Sequence, residues 1–205
     1  TRVALMTGRW QQRIGIEFAF GGAAQQKMLI DGKWVPEPDV HSLGLPLKAK
    51  TLANYLKDAG YTTGAFGKWH LGYKDIYNPV NRGFDEYFGE LLGHSDYYNH
   101  TYVDGTYALR DGLEPVRMKG KYFTDLVNKR ATNFVRKNAG KPFFLYVPHS
   151  MPHVPLYVSD KFKGKSERGL YGDVIMEIDW SVGQILNTLK KNGLDDNTMV
   201  IFTSD

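Results

Sequence analysis

Apolar positions recur at helical spacing in four stretches of the chain, and three short runs are apolar enough to read as strands. Between residues 171 and 191, Val174, Ile178, Val182, Ile185 and Leu189 form one stripe of a helix. Residues 122–138 repeat the pattern, with Phe123, Val127, Phe134 and Val135 facing inward. Residues 47–59 do so through Leu52, Leu56 and Ala59, and Gly60 ends that helix. Residues 1–15 open as a short helix that packs through Val3, Ala4, Leu5 and Met6. The strand segments are YTTGAF at 61–66, FFLYV at 143–147 and TMVIF at 198–202. The last two are unbroken apolar runs, the pattern of strands covered on both faces.

Two segments lack a period. Residues 16–46 are weakly patterned and hold several Gly and Pro, so they read as a surface excursion rather than core. Within them, Asp31-Gly32 between Leu29-Ile30 and Lys33-Trp34-Val35 predicts a small hairpin. Residues 72–117 are irregular and rich in Tyr, Gly and Asp. The alternation of helix and strand predicts an α/β protein with a largely parallel sheet, whose site lies in the loops after the strands. No repeat or linker divides residues 1–205. Three strands are few, and the third, followed only by Thr203, Ser204 and Asp205, has no closing helix, so one partial domain is expected.

Composition narrows this picture. A chain of 205 residues with 42% hydrophobic content can build a real core. Lys and Arg number 26 against 22 Asp and Glu, a net +4 without a dense basic block, which argues against nucleic acid as a partner. The chain contains no cysteine, so it offers no disulfide and no thiol chemistry. No apolar run approaches the length of a membrane span, and the opening TRVALMTGRW is not a secretory leader. The 13 Tyr and 4 Trp suit a core, or a cleft for carbohydrate or aryl ligands; Trp34, Tyr97, Tyr98 and Tyr102 are candidates to stack there.

The chemistry-bearing residues collect after the strand segments. GKWHLG at 67–72 follows the first, and Lys68 and His70, two apart, share a side in extended backbone. They read either as a cation and an acid–base group aimed at one anion, or as a surface lysine and a hydrogen-bonded histidine. VPHSMPHVP at 147–155 follows the second, stiffened by three prolines. Of its histidines, His149 and His153, one is expected to reach a substrate and the other to be structural. Asp205, just beyond the third, is placed to hold a cation or to serve as a turn residue. Arg2 and Arg9 near the opening helix could bind a planar anion. His94, Asp96, His100 and Asp104 shape a substrate mouth, bind a metal, or hold an irregular loop together.

Taken in order, these segments resemble the sulfatase family of the alkaline phosphatase superfamily. The opening TRVALMTGR looks like the family signature Cys-x-Pro-Ser-Arg … Thr-Gly-Arg without its first three residues, with Thr1 at the usual Ser position. GKWHLG matches the second signature almost letter for letter. NRGFDEYFG at 81–89, the FFLYV strand with its histidine loop, and IFTSD at 201–205 are similar to later family segments.

The resemblance implies an alkaline-phosphatase-like sandwich of which only part is present, with the nucleophile three residues before Thr1. That nucleophile would be a cysteine converted to formylglycine by a formylglycine-generating enzyme. It further implies that Arg2 contacts the formylglycine, that Lys68 binds sulfate, and that His70 assists sulfate release. His153 would face the leaving-group oxygen, and Asp205 would bind calcium or a similar divalent ion. His94 and His149 are weaker candidates for the substrate mouth. The implied activity is hydrolysis of an aryl or sugar sulfate in a periplasmic, secreted or lysosomal setting, by the intact parent and not by these 205 residues alone. A phosphate-ester or phosphonate hydrolase of the same superfamily, or a non-catalytic binding domain, are the alternatives.

Overall fold

The computed structural model describes residues 1–16, 27–30, 33–36 and 43–204, with only the backbone at 27–30 and 33–36. Its centre is a five-stranded sheet: β3 Thr62–Lys68, β4 Glu86–Glu90, β5 Leu109–Asp111, β6 Glu114–Pro115 and β7 Phe143–Tyr146, in the order β6-β5-β4-β3-β7. A separate hairpin pairs β1 Lys27–Ile30 with β2 Lys33–Pro36, antiparallel, with Ile30 opposite Lys33. That register leaves two residues between the strands, as Asp31-Gly32 predicts.

The central sheet is mixed rather than largely parallel. β3 runs parallel to both β4 and β7, whereas β5 is antiparallel to β4 and to β6. Strands β4, β5 and β6 all come from residues 72–117, the stretch that had no period to read. They are two to five residues long, too short for alternation to show.

Side chains alternate across β3 and β4. Ala65 and Tyr87 pack with Val3, Met6, Leu45, Trp69 and Phe84 on one face. Phe66 and Phe88 pack with Phe123, Val127, Phe134 and Val174 on the other. The first face is covered by α1 Arg2–Thr7 and α3 Leu52–Asp58; the second by α4 Phe123–Lys137, with α5 Gly169–Lys191 packed on it. The result is a helix–sheet–helix sandwich.

The helices match their periodicity unequally. In α4 all four expected residues are buried, and Asp125 in its first turn with Arg136 and Lys137 in its last complement the helix dipole. In α5, Val174 and Leu189 are buried and Ile178, Val182 and Ile185 half-buried. Its stripe is widened by polar residues: Glu177, fully buried, accepts from the Tyr122 hydroxyl (3.0 Å) and from the Ser159 N–H (3.0 Å) and hydroxyl (2.5 Å). In α3 the expected face is wrong. Leu52 and Ala59 are exposed, and the residue against the sheet is Ala53. A seven-residue helix lies close to a strand through a small side chain, and its start is fixed by a capping box. Thr51 accepts from the Asn54 N–H (3.1 Å), and Asn54 accepts from the Thr51 N–H (2.9 Å).

Three further expectations fail. Residues 1–15 form two short helices, α1 and α2 Gln11–Ile14, because Gly8 turns left-handed between them (φ 64°), and Leu5 is exposed. Leu45, assigned to a surface excursion, is fully buried, and its N–H donates to the Leu71 carbonyl (2.8 Å). Residues 198–202 form no strand, and Met199 through Phe202 are exposed; among the described residues nothing pairs with them. Strand β7 is an edge of the sheet, which is why its FFLY run is half-buried rather than covered on both faces.

At the carboxyl end of β3 the strands approach closely. A Cβ on Gly89 would stand 1.8 Å from the Gly67 carbonyl oxygen, which is backbone and cannot swing aside. Gly89→Ala in the intact protein is therefore expected to cost at least about 2 kcal/mol of stability. Urea unfolding checks this, and an unchanged midpoint refutes it.

Candidate functional site

Strands β3, β4 and β7 end side by side, and the candidate residues sit along that carboxyl edge. Lys68 is the last residue of β3 and pairs in register with Glu90, the last residue of β4. The Lys68 side chain is buried, and its backbone N–H donates to the Pro148 carbonyl (2.8 Å), which ties β3 to the loop after β7. Arg2 reaches in from α1: one terminal nitrogen donates to the Lys68 carbonyl (2.9 Å) and to the Tyr146 hydroxyl (3.2 Å). Arg2 thus bridges the ends of β3 and β7 through the Lys68 backbone and the Tyr146 hydroxyl.

His70 leaves the extended path. Its φ is 58°, a left-handed conformation uncommon for a residue with a side chain, and its N–H donates to the Leu91 carbonyl (3.0 Å). The same-side argument for Lys68 and His70 therefore does not hold. What seats the His70 ring is Gly93, where a Cβ would come within 3.2 Å of the ring. His94 follows, and its ring stacks on that of His153, with centroids 4.9 Å apart and planes at 16°. Arg2, Lys68, His70, His94 and His153 are thus gathered at one end of the sheet.

His153 is exposed, and its Nδ1 lies 2.6 Å from the Val154 carbonyl oxygen. A carbonyl only accepts, so Nδ1 carries the proton. Nε2 then offers a lone pair when the ring is neutral and a proton when it is charged. His149 turns the other way. Its Nε2 lies 2.9 Å from the Ser181 hydroxyl on α5, and burial pushes its pKa below the usual histidine range. It belongs to the packing of the helix rather than to the mouth where it was expected.

The tyrosines mostly hold the loop after β4. Tyr97 is buried and stacks on Tyr157 (4.9 Å, 11°). The Tyr102 hydroxyl accepts from the N–H groups of Leu91 (3.1 Å) and Leu92 (3.0 Å), which fixes the backbone leading into Gly93 and His94. Asp96 accepts from the N–H groups of Tyr98 (2.8 Å) and Asn99 (2.5 Å) and from the Tyr157 hydroxyl (2.9 Å). Burial pushes its carboxyl up, but these donors prevail and hold it below the ordinary range. His100 is buried with a left-handed backbone, Asp104 bonds locally to Thr106, and Arg9 is exposed. Asp205 and the side chain of Trp34 lie outside the described residues.

Sequence reasoning missed Glu90 and Ser150. Glu90 is fully buried and accepts a short hydrogen bond from the Ser150 hydroxyl. Ser150 stands inside the VPHSMPHVP loop, where the histidines are the conspicuous residues, and Glu90 follows the NRGFDEYFG segment on a strand, β4, too short to show a period. Among the described residues no group of three or more His, Asp or Glu could hold a metal ion, and the chain has no cysteine to carry a nucleophile. The described residues therefore do not make a metal site. They do place two cationic residues, Arg2 and Lys68, at the strand ends, with the exposed imidazole of His153 at the same end of the sheet.

Known proteins with related sequences share this architecture. The family model described as Sulfatase matches residues 23–205. N-acetylgalactosamine-6-sulfatase from Homo sapiens is 34% identical over 220 residues, covering all of this chain and 40% of that protein. Arylsulfatase from Hemicentrotus pulcherrimus is 34% identical over 227 residues, again with all of this chain and 37% of that protein. The crystal structure of Ps i-CgsB in complex with k-i-k-neocarrahexaose superposes with a TM-score of 0.77 at 32% identity, covering 96% of this chain and 45% of that one. The chain thus spans about 40% of the length of the curated relatives it matches.

Burial, the neighbouring His153 and the Lys68 charge together hold His94 below the usual histidine pKa, so its ring is neutral at pH 7 even without a substrate. Lys68→Met removes one of the opposing charges and is expected to raise the His94 pKa measurably. A ring-proton NMR titration follows it; no upward movement would mean that the Lys68 ammonium does not face His94.

Proposed function

The chain belongs to the sulfatase family, and from that premise we propose that the protein it forms part of hydrolyses sulfate esters of sugars. The observation that carries this reading is that Arg2 bonds the Lys68 backbone at the ends of β3 and β7, at the same end of the sheet as the exposed His153 with its Nδ1 engaged by the Val154 carbonyl.

A sulfate ester presents three oxygens that share one negative charge. Lys68, held in a mostly buried position, supplies positive charge to them in a setting of reduced dielectric, where it acts more strongly than in water. Arg2 joins the ends of β3 and β7, and so fixes the distance between the anion cradle and the histidine loop. When the ester bond breaks, the leaving oxygen of a sugar needs a proton, because an alkoxide is a poor leaving group. His153 is the group for that step: with Nδ1–H engaged by the Val154 carbonyl, its charged form donates from Nε2 alone. His70, whose ring lies against Gly93, would assist the later release of sulfate.

The family's formylglycine and divalent cation, calcium or a similar ion, supply the nucleophile and further charge stabilisation when bound. The described residues hold neither, so formylglycine would come from a cysteine outside this chain, matured by a formylglycine-generating enzyme. Asp205 is the residue of this chain that the motif assigns to the cation. Two relatives favour a sugar sulfate over an aryl sulfate: the N-acetylgalactosamine-6-sulfatase, by its name, and Ps i-CgsB, by the neocarrahexaose in its complex. The family resemblance suggests a periplasmic, secreted or lysosomal setting.

The intact, matured protein is expected to hydrolyse 4-nitrophenyl sulfate with a kcat/KM well above that for 4-nitrophenyl phosphate. The 205-residue chain alone, which contains no cysteine, is expected to turn over neither. Preference for phosphate would replace this reading with a phosphohydrolase, and turnover of neither by the intact protein would favour a binding domain. His153→Ala is expected to slow sugar sulfates by about 100-fold or more, and 4-nitrophenyl sulfate much less, because nitrophenolate leaves without a proton. Equal losses on both substrates would remove His153 from the proton step.

A further inference from the structure

The carboxyl edge of the sheet holds an acid with no part in the chemistry described so far. We propose that Glu90 is a positioning residue: it orients and balances the charge of Lys68 across the β3–β4 ladder and, through Ser150, anchors the loop that carries His153. The inference rests on the roles given above to Lys68 and His153.

Four observations converge on Glu90. It is the register partner of Lys68 at the last rung of the parallel β3–β4 ladder. Strands in a sheet lie about 4.8 Å apart and register partners point to the same face, so the two side chains leave the sheet together. Both are buried, Glu90 completely and Lys68 almost so. The Glu90 carboxylate also accepts from the Ser150 hydroxyl, and the Ser150 carbonyl in turn accepts the His153 N–H (3.1 Å). One carboxylate thus contacts the histidine-loop arm through Ser150 and lies beside Lys68, the other arm, in register on the same face and within its electrostatic reach.

A carboxylate with no exposure to water is expensive unless paired. The groups that face it are Lys68 from β3, Arg2 from α1, Ser95 on the loop after β4, Ser150, and the buried tyrosines Tyr87, Tyr97 and Tyr102. Burial pushes all three tyrosine hydroxyls up, so they stay neutral over the working pH range. Lys68 and Arg2 are therefore the cations available to balance Glu90. Burial is the larger influence and holds the Glu90 carboxyl above the ordinary range, while the two serine hydroxyls and the charges of Lys68 and Arg2 pull it part of the way back. On the other side Lys68 faces His94, which is held neutral. In register beside Lys68, Glu90 is accordingly the acid placed to balance the ammonium at the strand edge.

The test compares Glu90→Gln, which keeps the shape and can still accept from Ser150, with wild type in the full-length matured protein. Kinetics on 4-nitrophenyl sulfate are expected to show kcat lowered by about 10- to 100-fold, the size found for groups that orient a primary ligand, without a rise in KM. Binding of inorganic sulfate, followed by its thermal shift against pH, supplies a readout that needs no turnover. Removing the opposing charge lowers the Lys68 pKa, so the alkaline loss of sulfate binding is expected to move down by about one pH unit. In a Lys68→Met background both effects of Glu90→Gln should vanish.

Wild-type kcat together with an unmoved sulfate-binding limb overturns the proposal. So does a loss that persists undiminished in the Lys68→Met background, which would mark a merely structural acid. If the wild-type protein turns over no sulfate ester, the functional reading fails, and the sulfate-binding limb still decides the role of Glu90.

Discussion

A side chain at position 67 would strike the carbonyl oxygen of Pro148, 2.2 Å from where its Cβ would stand, and one at position 89 would strike the carbonyl oxygen of Gly67 at 1.8 Å. These two close approaches lock β3 to both neighbours, one residue before Lys68 and Glu90. Gly67 also takes a positive φ of 130°, which a side chain would resist. Everything at the site depends on that packing: the Lys68 N–H reaches Pro148, the Arg2 guanidinium bridges Lys68 and Tyr146, and the Ser150 hydroxyl reaches Glu90. The glycines of GKWHLG and EYFGE are the geometric condition for gathering three strand ends at the candidate site.

Sequence periodicity was a good guide where an element is long. The stripe of α4 needed only its spacing, because a 15-residue helix repeats its face several times. It failed where elements are short. Strands β4 to β6 have at most five residues each, and α3 buries Ala53 while its leucines remain outside or only half inside. It failed differently at 198–202. That run is apolar enough for a buried strand, but a strand also needs a ladder partner, and apolarity alone does not supply one.

The site was legible through its motifs more than through local geometry. Lys68 and His70 were expected to meet because extended backbone places alternate residues on one side, yet the left-handed turn at His70 breaks that alternation. They belong to one site because Gly93 makes room for the His70 ring and His94 carries the contact on to His153. Of the two loop histidines, spacing alone could say that one would be structural but not which, and only the family resemblance singled out His153. The structure engages His149 with the hydroxyl of Ser181, which lies on α5, 32 residues further along the chain. Glu90 and Ser150 gave no signal, since a buried acid and its hydroxyl donor are recognisable only once the strands that carry them are paired.

The carboxylate in this site has a physical logic of its own. Two neighbouring cations without a counter-charge would repel one another, and the lysine would tend to lose its proton or its position. They would also hold a sulfate anion tightly, a disadvantage if sulfate must leave after each turnover. Tight ground-state binding lowers KM without raising kcat. A buried acid beside Lys68 eases both problems, because it stabilises the ammonium while subtracting from the net positive charge presented to the anion. It can do so without being displaced, since Ser150 holds one of its oxygens from the loop that bears His153. On the proposed reading, anion affinity and the placement of the proton donor are thereby set by one residue, and the site would bind a charged ester without becoming a trap for the charged product.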